Sequence, residues 1–159
     1  MKQTKGVLCF NEAPFQALKG EINNAQRLIF NENEPLLPQA QQGLWQLRLR
    51  CDWICVAAEG ERALLALALA AQLPVERLAL MGRWQTAKGK RSPLRGYAMR
   101  NLPLVVADVL LIGADGAQAR ALRDRRYGAL AVLKADGWEQ CAHLLLAPWT
   151  EAAEKNLLK

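Results

Sequence analysis

Two glutamates, Glu59 and Glu61, flank Gly60 at the junction between an apolar run and an Ala/Leu-rich stretch. Carboxylates at the start of a helix favour the positive end of its dipole without any chemistry. At the end of a strand they are also placed to hold a ligand. His143 is the sole histidine and sits in the apolar setting Cys141-Ala142-His143-Leu144-Leu145. A nucleophilic thiol–imidazole pair with Cys141 needs side-chain contact, and residues two apart do not face each other on a helix. A partly buried, hydrogen-bonded histidine is the plainer reading. Cys51 and Cys55 are spaced like a metal-binding pair, but on an extended segment they stand roughly 13 Å apart, too far to share a metal or a disulfide. No metal site is expected.

Arg83, Lys88, Lys90, Arg91, Arg95 and Arg100 lie in one stretch without an acid, interleaved with Trp84 and Tyr97. Charge and stacking of this kind could bind phosphates or single-stranded nucleic acid. A solvated loop has the same composition. The net charge is +6, and outside this stretch the remaining 15 Lys and Arg match the 15 Asp and Glu. Neither a G-x-G-x-x-G nor a G-x-x-x-x-G-K-[ST] pattern occurs, so no dinucleotide or nucleoside-triphosphate cofactor is expected.

These residues need elements to carry them. Residues 5–10 read as a short buried strand, followed by a helix with Pro14 in its first turn and Phe15, Leu18 and Ile22 at helical spacing. Residues 26–30 are a second strand, 31–38 a loop, and 39–49 a helix with Leu44, Leu47 and Trp45 as inward candidates. Residues 52–58 form the clearest strand, a continuous apolar run expected of a parallel strand covered on both faces. The segment 63–72 is the clearest helix, stopped by Pro74. Strands are predicted over 77–81, 104–112 and 129–133, a basic loop over 82–101, and helices over 117–126 and 150–158. Strands separated by helical patterns require crossover connections, hence a parallel sheet with helices on both faces.

The 159 residues fit a single domain, 1–159, able to bury roughly 70% of its unfolded surface. A composition of 52% hydrophobic and 23% charged residues is that of a globular chain and excludes a disordered one. No apolar run approaches the roughly 20 residues of a membrane span, and the run behind the basic start is too short for a signal peptide. With four cysteines scattered in apolar runs, a cytoplasmic protein with reduced thiols is expected.

The segment Val56-Ala57-Ala58-Glu59-Gly60-Glu61-Arg62-Ala63-Leu64, with its preceding strand and following Ala-rich helix, resembles the nucleophile-elbow region of the α/β-hydrolase family. In that register Ala57 falls on the first Gly of G-x-S-x-G, Glu59 on the Ser and Glu61 on the last Gly. The flanks resemble the family in the same order. Residues 6–10 followed by Asn11-Glu12 match the strand leading to the oxyanion loop. Residues 104–112 followed by Gly113-Ala114-Asp115 match the strand and turn bearing the triad acid, which maps to Asp115. Trp138 falls on the histidine. Asn11 and Gly60 take oxyanion-like positions.

The resemblance implies a three-layer αβα sandwich with a mainly parallel sheet of about six strands and no large cap. It also implies that the serine, histidine and oxyanion motif residues are all replaced, and a turn carrying Glu59 and Glu61 would be more relaxed than a true elbow. The expected function is non-catalytic binding of a small molecule or a protein partner, a second copy included. Two alternatives stand beside it: a divergent hydrolase using Glu59 with Asp115 or His143, and a polyanion-binding module using residues 83–100.

Overall fold

The run Trp53–Glu59 is apolar at nearly every position, so it can be buried only if both faces of its sheet are covered. That is its situation in the computed structural model of the chain, which describes residues 4–82, 94–113, 132–135 and 137–146. Six strands, β1 (Lys5–Cys9), β2 (Ala25–Arg27), β3 (Trp53–Glu59), β4 (Arg77–Met81), β5 (Asp108–Ile112) and β6 (Val132–Ala135), form one sheet in the order β2-β1-β3-β4-β5-β6. Every pairing is parallel. The described helices are α1 (Glu12–Leu18), α2 (Leu36–Arg48), α3 (Glu61–Gln72), α4 (Leu94–Arg100) and α5 (Trp138–Leu146), with a 3-10 turn at Leu102–Leu104.

Alternation along the strands divides the core in two. Ile54, Val56 and Ala58 of β3 join Leu78, Leu80, Val109 and Leu111 beneath α2, α3 and α4. Cys55 and Ala57 turn the other way with Val7, Cys9, Ala79 and Ile112, against Leu18 of α1 and Trp138, Ala142 and Leu145 of α5. The α/β class and three-layer arrangement expected from the chain are therefore present. Residues Ala63 to Ala70 of α3 are all buried, as befits a helix that is apolar all round and packed between α2, α4 and the sheet. Among the described residues no helix is long and apolar enough to cross a membrane.

Polar anchors tie the amino edge of the sheet. Arg48, at the end of α2, grips Glu76 with both guanidinium nitrogens and donates to the carbonyls of Asp52 and Pro74. Glu76 also accepts from the Ile54 amide at 3.3 Å. Arg77, only 5% exposed, donates to the carbonyls of Leu144 and Leu145 at 2.8 and 2.9 Å.

Several expected elements are corrected. The strand expected from 104 begins at Asp108, which pairs with Arg77 of β4, and Leu102–Leu104 form a 3-10 turn instead of its first residues. Within the expected basic loop, residues 94–100 form α4. The second helix starts at Leu36, three residues early, since Pro38 is tolerated in a first turn. Trp45 is 58% exposed and points away from the core that takes Leu44 and Leu47. The first helix stops at Leu18, leaving Ile22 buried beyond it. The second strand is confined to Ala25–Arg27, since only those residues pair with β1. The last strand spans Val132–Ala135, two residues past the predicted end, paired with Val109–Ile112. Cys51 precedes β3 and belongs to the opposite core layer from Cys55, so the two thiols do not even share a face. The predicted helices at 117–126 and 150–158 lie outside the described residues.

Candidate functional site

In an open parallel sheet, ligands bind outside the carboxyl ends of the strands, where the strand order reverses. Here the chain leaves β1 in one direction to make β2 and returns on its other side to make β3, so the reversal falls between β1 and β3. The residues that follow those two strands are Asn11 and Glu59-Gly60. The Asn11 side chain does not cap α1; its Oδ1 accepts the Glu59 backbone N–H at 2.9 Å and bridges the two strand ends. Because a backbone N–H can only donate, the oxygen must face it, which leaves the Asn11 amide nitrogen as a donor for the adjacent space.

Glu59 is the last residue of β3, paired with Met81. The chain then turns at Gly60, with φ +60° and ψ −133°, and enters α3 at Glu61. Few residues with a Cβ adopt such a backbone. The bend therefore falls one residue after the position that the hydrolase resemblance assigned to the nucleophile, on a glycine that adopts it without the steric cost a side chain would bring. The Gly60 N–H donates to the Met81 carbonyl at 3.1 Å, so it extends the sheet and is not aimed outward as an oxyanion donor. Among the described residues, chain neighbours aside, no heavy atom lies within 4 Å of where a Gly60 Cβ would stand, so Gly60→Ala tests the backbone. We expect it to cost about 1–3 kcal/mol in urea unfolding; a loss under about 0.5 kcal/mol would show that the bend does not require a glycine.

Trp138, the first residue of α5 and 6% exposed, donates its indole N–H to Glu59 Oε2 at 3.2 Å. On the far wall Arg62 pairs with Glu32, and its guanidinium lies 4.5 Å from the centre of the Phe30 ring. Phe30 in turn meets Phe10 edge-on at 5.2 Å. Glu32 is carried by a loop that the Gln39 side chain organises, accepting from the Asn31 N–H and donating to the carbonyls of Asn31 and Pro35. Between these walls lies a cleft of about 650 Å³, floored by Asn11, Glu59, Gly60, Met81 and Gly82 and flanked by Glu32, Leu36, Glu61 and Arg62.

Of the residues singled out in the sequence, the structure brings Asn11, Glu59 and Gly60 together, with Trp138 against them. Asp115, Arg83, Lys88, Lys90 and Arg91 lie outside the described residues. His143 falls within α5, and its side chain is outside the described part. Arg95 and Arg100 sit on α4, the first half-buried and the second exposed. Among the described residues no group of three or more metal-ligating side chains converges. Glu32, Leu36 and Arg62 were not anticipated; the polar, proline-bearing stretch 31–38 was the available signal, since a polar loop beside a strand end is where binding groups are often placed.

Chemically, the bend that would present a nucleophile presents no side chain, and the group on Glu59 is an indole, which donates a hydrogen bond and cannot accept a proton. What remains is a donor on Asn11 and a carboxylate on Glu59.

No family model matches the chain, and no curated protein is significantly similar to it. Among solved structures, a protein described as a YdeN-like hydrolase from Pectobacterium atrosepticum is similar to it at 13% identity and a TM-score of 0.49, over 96% of this chain and 88% of that one.

Proposed function

We propose that this α/β protein binds a small molecule in the cleft at the carboxyl ends of β1 and β3 and carries out no serine-type hydrolysis there. The observation that carries the reading is the pairing of a side-chain-free residue, Gly60, at the positive-φ bend with an indole N–H, that of Trp138, on the neighbouring carboxylate. Acyl transfer of the serine type needs a hydroxyl within reach of a base and donors aimed at the developing oxyanion. Gly60 has no hydroxyl, Trp138 is no base, and the Gly60 amide is committed to Met81. The α/β-hydrolase-like ancestry belongs to the same reading, supported by a strand, a positive-φ bend and a buried Ala/Leu helix following one another over residues 53–72.

A carboxylate nucleophile at Glu59 is the rival within the same cleft. It requires a base to activate water for the second step, and the described partners of the Glu59 side chain include none. A screen of short-chain p-nitrophenyl esters, run on the wild type and on Glu59→Gln, separates the two. The expected result is no turnover above buffer with either protein. Turnover by the wild type that disappears in Glu59→Gln would overturn the non-catalytic reading.

A further inference from the structure

We propose that the cleft selects a cationic amphiphile, with an ammonium-type head against Glu59 and a short apolar tail beside it. The inference rests on reading the cleft as a binding site and adds the class of molecule it takes. Four charged side chains line the cleft: Glu32, Glu59, Glu61 and Arg62. Arg62, the only cation among them, is committed to Glu32 and to the face of Phe30. Glu61 stands in the first turn of α3, where its charge answers the positive end of that helix. Glu59 is different. Its one side-chain hydrogen bond comes from the neutral Trp138 indole, so among the described residues no cation meets its charge. Its carboxylate is thus held in place by a donor that orients it without neutralising it.

The second observation is an adjoining recess of about 330 Å³. It shares Leu36 and Glu61 with the cleft and is otherwise walled by Glu34, Pro35, Leu37 and Leu94, a mostly apolar lining with carboxylates at its edge. A molecule whose charged nitrogen contacts Glu59 can therefore extend past Leu36 into apolar surroundings, where each buried methylene is worth about a fourfold gain in affinity. An anionic head is disfavoured by the same carboxylates, and a neutral head leaves Glu59 unmatched.

The test is titration of the protein with n-butylammonium and n-hexylammonium, with hexan-1-ol and hexanoate as comparators, read by amide chemical shifts. Hexylammonium should shift the amides of Asn11, Glu59 and Gly60 saturably and bind about tenfold or more tightly than butylammonium. Glu59→Gln should weaken hexylammonium by about ten- to a hundredfold while leaving hexan-1-ol unchanged. Leu37→Lys, remote from Glu59 in sequence and placed in the recess, should abolish the advantage of the longer chain. Tighter binding of hexanoate, or indifference of hexylammonium to Glu59→Gln, would overturn the ligand class and leave the cleft as a binding site. Failure of all four probes to move any cleft amide would overturn both.

Discussion

Replacing Arg77 by methionine should lower the free energy of unfolding by about 3 kcal/mol, with a fall in melting temperature of roughly 6–12 °C for a domain of this size. Arg77 opens β4 and lies across from Cys55 on one side and Asp108 on the other. Its Nη1 donates to the carbonyls of Leu144 and Leu145, towards the carboxyl end of α5, where the helix dipole favours a cation. Its Nη2 stands 3.8 Å from an Asp108 carboxylate oxygen, and the guanidinium lies 5.0 Å from the Trp53 ring centre. One side chain therefore links β4, β5 and α5 at the amino edge of the sheet. Burial pulls the guanidinium pKa down, and the neighbouring Cys55 and Asp108 oppose that pull. Methionine fills much of the stem volume but offers no donor, so the Leu144 and Leu145 carbonyls lose their bonds to the guanidinium and Asp108 loses its cationic neighbour. Asp108 is 31% exposed, which relieves part of the loss and keeps the figure at the lower end of the range for broken buried pairs. Urea unfolding measures it; a change below about 1 kcal/mol would mean that the cost of burying the guanidinium cancels its contacts.

A second large effect is expected in alkali. Cys9 is fully buried in the layer beneath α1, and burial pushes its thiol up to about 12 from an ordinary value near 9, with Arg27 pulling weakly the other way. Between those values the unfolded chain releases a proton that the folded chain retains, so the unfolded state is favoured. The thiol's contribution is complete below about pH 9 and is lost as pH rises towards 12, by about 1.4 kcal/mol per unit and about 4 kcal/mol in all. Cys51, also raised mainly by burial, acts in the same direction. Stability measured from pH 8 to 10.5 should therefore fall more steeply in the wild type than in Cys9→Ala, whose neutral-pH stability is lower by a small cavity cost. Parallel pH profiles for the two proteins would rule the thiol out as the source.

The parts of the fold that were legible in the residues are those where one physical signal dominates. β4 spans the predicted 77–81, and β3 and α3 differ from expectation only at their ends, because an unbroken apolar run and an Ala/Leu helix stopped by Pro74 leave little choice. The start of β5 was not legible, since Leu104 to Ala107 are as apolar as the strand that follows, and the 3-10 turn at Leu102–Leu104 that delays it has no apolar signature of its own. The helix α5 went unread although Trp138, Ala142 and Leu145 recur at helical spacing, because Trp138 was weighed as a replaced histidine instead of as the first apolar residue of a helix face. In the site, the junction after β3 was visible, but which residue bends is a matter of backbone dihedrals, and it proved to be Gly60. The contact between Glu59 and Trp138 joins residues 79 apart in the chain, and no local spacing announces it.

The strand order also has a kinetic consequence. All the pairings are parallel, so none is a hairpin that could close locally, and each must first bring together the ends of a long loop. The pairing of β1 with β3 cannot begin until residues 53–59 exist. At translation rates of about 5–20 residues per second, Val7 to Phe10 wait several seconds for their cover. A nascent chain of this topology thus makes the apolar strand β1 long before its cover, so that short segment stays open to stray contacts throughout the interval.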